Sequence, residues 1–70
     1  MIVIKDDRVN VIYTRTNRRV KWQYAEYCGR YASIDEAIKH AKEHYGDQGF
    51  EYRIENRETD EVTTGFVNWR

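Results

Sequence analysis

Seventy residues with twelve Lys/Arg, twelve Asp/Glu and 40% hydrophobic side chains have the composition of a soluble globular protein. That length provides for one domain, spanning 1–70. No apolar run approaches the roughly 18 residues of a membrane span, and the stretch Met1-Ile2-Val3-Ile4-Lys5 is shorter than a signal peptide's apolar region, so the expected setting is the cytoplasm.

The apolar inventory contains no leucine, and the chain has no proline. Twelve Ile/Val residues and ten aromatics supply most of the bulk. Such side chains fit pleated surfaces better than helices, so a sheet-dominated protein is expected. The single cysteine, Cys28, excludes an internal disulfide framework and a multi-cysteine zinc site.

Residues 2–5 read as a short strand and Asp6-Asp7 as a turn. Residues 8–16 and 19–27 read as two longer strands joined near Asn17-Arg18. Turning the chain there sets Val11 opposite Tyr24, Tyr13 opposite Trp22 and Arg15 opposite Val20. All apolar residues of the three strands then share one face, and a one-residue slip would part them.

A helix is predicted over Ile34 to Tyr45. Ser33-Ile34-Asp35-Glu36 has the pattern of a capping box, and its two acids suit the positive end of a helix dipole. Ile34, Ala37, Ile38, Ala41 and Tyr45 fall on one stripe, and Gly46 follows as a stop.

Residues 50–55 alternate, with Phe50, Tyr52 and Ile54 on one side and Glu51, Arg53 and Glu55 on the other. Asn56 to Asp60 reads as a turn. Val62, Thr64 and Phe66 are then expected to face Ile54, Tyr52 and Phe50. The expected fold class is therefore α+β: a five-stranded antiparallel sheet, βββαββ, with one helix packed on one face.

The same parity leaves an uncovered face. Most of its residues are ordinary polar ones, but Ile12, Val67 and Trp69 are not. These three are the candidate protein-binding residues, because tryptophan in particular is enriched where partners dock.

Zero net charge conceals an asymmetry. Residues 1–31 carry seven basic and three acidic side chains, whereas residues 32–70 carry five and nine. No acid occurs between Arg8 and Ala25. Arg15, Arg18, Arg19 and Lys21 form a basic finger, which makes them the alternative, nucleic-acid-binding set. Glu55, Glu58, Asp60 and Glu61 surround the other turn and could neutralise the finger, within the molecule or between copies.

The run Tyr27-Cys28-Gly29-Arg30-Tyr31-Ala32-Ser33-Ile34-Asp35-Glu36-Ala37 resembles the strand-to-helix junction of AP2-type DNA-binding domains. There an aromatic-x-Gly-x-aromatic-x-Ser/Thr-x-acid-acid-Ala pattern leads from the third strand into the helix. The resemblance covers 11 of the 70 residues. It implies that a three-stranded sheet over residues 8–27 reads DNA. The chain departs from that pattern in having a further hairpin after the helix, and no base-contacting residue is carried over.

Catalytic and metal signatures are faint. His40 and His44 stand four apart, but Ala41-Lys42-Glu43 between them does not match His-Glu-x-x-His. Cys28 has no base beside it in sequence, and no Gly-rich phosphate loop is present. One helix on a small sheet also promises little pocket volume. The expectation is a non-enzymatic protein without cofactor or metal. Its partner would be a protein or a second copy, in the manner of small inhibitors and accessory factors such as those of phages. Nucleic acid is the alternative, and neither a membrane nor a small-molecule substrate is expected.

Overall fold

A computed structural model describes residues 7–69. The strand expected at 2–5 and the start of the turn after it lie outside those residues. Four strands and one α-helix follow in chain order: β1 (Asn10–Arg15), β2 (Glu26–Tyr31), α1 (Ile34–Tyr45), β3 (Phe50–Asn56) and β4 (Val62–Val67). The sheet is antiparallel, in the order β2-β1-β3-β4. It has four strands and not the five expected, which corrects βββαββ to ββαββ over the described residues.

The helix begins and ends where its sequence signals stand. The Glu36 backbone N–H donates to Ser33 Oγ at 3.1 Å, and the Gly46 N–H donates to the Lys42 carbonyl at 2.8 Å. Small Ala37 and Ala41 bring the helix close to the sheet, where Ile12, Phe50 and Ile54 fill the contact. Tyr45 stacks on Phe50 at 4.7 Å.

Three strand readings are corrected. First, the segment expected to be the third strand, 19–27, is mostly a loop over 16–25 that includes a 3₁₀ turn, Trp22–Tyr24. Strand β2 starts later, and Tyr13 pairs with Tyr27, not Trp22. Arg15 still meets Val20, but through a hydrogen bond from Arg15 Nη1 to the Val20 carbonyl at 2.7 Å. Tyr24, expected inside, is 73% exposed.

Second, β1 is turned over. Ile12 lies opposite Ile54 and is 0% exposed beneath the helix, together with Asn10 and Thr14. Polar residues occupy core positions there because their hydrogen bonds are made. Asn10 Nδ2 donates to the Ala32 carbonyl at 3.1 Å. Thr14 Oγ1 bonds Tyr45 Oη at 2.6 Å and Cys28 Sγ at 3.1 Å. A satisfied polar group costs little to bury, so polarity alternation misstates this strand's inner face. Val11, on the opposite face, is buried as well, as befits a central strand.

Third, β4 is slipped by one residue. Val67, Gly65 and Thr63 oppose Phe50, Tyr52 and Ile54, so Val62 and Phe66 point away from the helix. The turn explains the parity: the Asn56 side chain accepts from the Glu58 and Thr59 N–H groups, and Asp60 adopts φ 62°. The slip also sets Gly65 beside Tyr52. A β-carbon at that position would overlap the Tyr52 phenol.

A bulge separates Val11 from Tyr13 in the β1–β2 ladder, with Gly29 at φ 110°. An extra residue of this kind re-aims its neighbours. Here Cys28 and Tyr31 both pack toward the core beneath α1.

Candidate docking surface

Among the described residues, α1 packs on one face of the sheet and leaves the opposite face without a helix. Alternation along each strand decides what it carries. From β1 it receives Tyr13 and Arg15, from β3 Glu51, Arg53 and Glu55, and from β4 Val62, Thr64 and Phe66.

At one end the 16–25 loop folds against this face. Arg15 Nε donates to Glu51 Oε1 at 2.5 Å, and the Arg15 guanidinium lies 4.4 Å from the centre of the Trp22 ring. Next to that pair, Phe66 and Trp69 meet at 5.3 Å between ring centres. The Arg18 guanidinium stands 5.6 Å from the Trp69 ring and 6.0 Å from that of Phe66. Phe66 is 53% exposed and Val62, at the far end of the same strand, 48%. Arginine over aromatic rings is a favourable cation–π arrangement that remains accessible to a partner.

The middle and far end are laced by charge. Arg53 Nη2 lies 3.4 Å from Glu55, which also receives Arg57 at 3.8 Å. Arg57 donates to Tyr13 Oη at 3.0 Å, and Tyr13 meets Tyr27 edge-on at 6.0 Å. Two guanidinium groups here share the single Glu55 carboxylate, so this stretch of the face keeps a positive charge.

The candidate residues are therefore redistributed. Ile12 is a core residue and leaves the docking set, since the turned β1 places it under the helix. Val67 packs against the core on the helix side and leaves the open face for the same reason of register. Trp69 remains, half-buried beside Phe66. Phe66 was missed because the parity of β4 was misread by one residue, and Val62 with it. Of the basic set, Arg15 is held by Glu51, Val20 and Trp22. Arg18, Arg19 and Lys21 are exposed on the loop. Among the described residues no ion pair involves Arg19 or Lys21.

A second surface feature lies between α1 and the edge strand β2. It is a groove of about 320 Å³ lined by Glu26, Cys28, Tyr31, His40 and His44, among others. Lack of volume is therefore no argument against a ligand. His40 stacks on Tyr31 at 4.7 Å, and His44 Nε2 stands 3.6 Å from Glu26 Oε1. Tyr45 Oη donates to Glu26 Oε2 at 2.8 Å and closes a polar chain through Thr14 to Cys28. Burial pushes the Tyr45 phenol up to about 12 and raises the Cys28 thiol above its ordinary value, against the lowering effect of Thr14. Both groups stay protonated near neutrality. Among the described residues no three His, Cys, Asp or Glu side chains are grouped to hold a metal ion, and no helix is long and apolar enough to cross a membrane.

No known family model matches the chain, and neither does any curated protein or solved structure.

Proposed function

We propose that this chain is a non-catalytic binding protein that acts by laying the open face of its sheet on a protein surface. One observation carries the reading: exposed Phe66 and Arg18 cluster with half-buried Trp69 on a face that α1 does not cover. Aromatic and arginine side chains are the residue types that dominate protein interfaces. The test is affinity capture from the native host with nuclease treatment. Capture should survive the nuclease and be lost in Phe66→Ala and Trp69→Ala. Loss on nuclease treatment alone would refute it.

Arg19 and Lys21 support a second reading, in which the 16–25 loop grips phosphates. The loop holds three basic residues and no acid. Binding to an oligonucleotide that falls steeply with salt, and falls further in Arg18→Ala/Arg19→Ala, would favour it.

A further inference from the structure

Two oppositely charged features sit at opposite ends of the sheet. Arg15 pairs with Glu51 at one end of the β1–β3 ladder, and Asn10 pairs with Asn56 at the other. The 16–25 loop leaves from the first end with Arg18, Arg19 and Lys21 and no acid. The 57–61 turn leaves from the second with Glu58, Asp60 and Glu61, and its one base, Arg57, is engaged by Glu55 and Tyr13. Five residue steps of strand separate the ends, roughly 17 Å at the usual rise. That exceeds the distance over which exposed charges act in physiological salt, about 8 Å. Loop and turn of one molecule therefore do not neutralise each other.

We propose that the occupant of the open face is a second copy of this chain, docked about a two-fold axis so that each loop lies against the other copy's turn. The inference rests on the docking reading above and names its partner. An axis lying between the two faces and perpendicular to the strands reverses strand direction while keeping strand order. Each β4 then lies over its copy, each basic loop over an acidic turn. Phe66 of one chain meets Val62 of the other, the two exposed apolar residues of β4's open side. Thr64, midway between them, sits near the axis. A patch that is complementary to itself in this way closes as a dimer without leaving a sticky end. The internal Arg15–Glu51 pair enters the interface already matched, which avoids the large penalty of burying a lone charge.

Sedimentation equilibrium on the full chain reads the outcome directly. The expected mass is twice 8.5 kDa. Two charge-reversed variants provide the specificity test: R18E/R19E/K21E and E58K/E61K. All five positions are exposed, and circular dichroism checks that each variant folds. Each variant alone should associate at least tenfold more weakly, since like charges then face each other. An equimolar mixture should recover a dimer of one copy of each. The proposal is overturned by a wild-type chain that stays monomeric up to about 1 mM. It is equally overturned by a dimer that both reversals leave intact, or by a mixture that fails to recover. A monomer that captures a different protein through Trp69 overturns self-association and leaves the docking reading standing. A monomer that instead shifts a fluorescent single-stranded oligonucleotide overturns both.

Discussion

Glu51 accepts a hydrogen bond from Arg15 across the two central strands, with the two side chains only 12% and 16% exposed. By sequence Arg15 belongs to the alternative, nucleic-acid-binding set and Glu51 to the polar side of residues 50–55. Their pairing turns both into structural residues, sealed by Trp22 over the guanidinium. Arg15→Ala leaves a poorly solvated carboxylate behind. Unfolding in urea should show a loss of about 1–3 kcal/mol, well beyond the effect of Arg19→Ala, and a smaller loss in Glu51→Gln, which keeps an acceptor.

Opposite placement of Ile12 and Phe66 makes a direct test of the face assignment. Ile12→Ala removes a fully buried side chain and should destabilise the fold by about 2–5 kcal/mol. Phe66→Ala, on the open face, should stay within about 0.5 kcal/mol of the parent while abolishing association with the partner. Denaturant midpoints of the two variants, measured side by side, decide it.

Tyr45 sets a limit on alkaline stability. Its phenol is pushed up to about 12 by burial, against an ordinary value of 10. A raised pKa means that the folded state holds its proton more tightly than the unfolded state. The associated stability is complete below pH 10 and disappears as the pH climbs through about 12. Thermal melts between pH 9 and 12 should therefore fall more steeply for the parent than for Tyr45→Phe, which has no phenol proton to lose. Equal slopes would contradict the assignment.

Cys28 should react slowly. Burial raises its thiol, and the contact with Thr14 Oγ1 helps to hold it beneath α1. Only the thiolate attacks a disulfide reagent. Labelling at neutral pH should lag well behind that of the urea-unfolded chain, and Thr14→Ala should slow it further, because the thiol loses the hydrogen bond that favours its thiolate. Rapid labelling of the folded parent would show that the thiol is open to solvent.

Gly65 and Tyr52 act as a pair. A β-carbon at position 65 has no space under the phenol, so Gly65→Ala should destabilise by about 1–3 kcal/mol. In Gly65→Ala/Tyr52→Ala the two losses should sum to less than their separate values, since the clash is gone. Additive losses would show that the ring does not rest on the glycine.

The helix was legible to the residue, because Ser33 and Gly46 are local signals and the apolar stripe between them repeats over three turns. Strand β3 was legible too, since Phe50, Tyr52 and Ile54 alternate without interruption. Strand β1 was not. Val9, Val11 and Tyr13 alternate as convincingly as the true inner set, Asn10, Ile12 and Thr14. The Ala32 carbonyl, Asn56, Cys28 and Tyr45, all distant in sequence, make the polar members of that set acceptable in the core. Trp69 was singled out from sequence, whereas its neighbour Phe66 was missed, because the Asn56–Asp60 turn alters parity by one residue.

Composition and spacing alone determined that one capped helix would pack on an antiparallel sheet, and that charge would divide between two turns. Those properties depend on neighbours within a few residues, where steric preference and periodicity act directly. Which face of β1 turns inward, where β2 begins and which aromatics remain in solvent were decided only by tertiary structure. Each depends on a hydrogen bond or a bulge that closes between segments far apart in the chain, and a polar side chain can enter a core once such a partner meets it there.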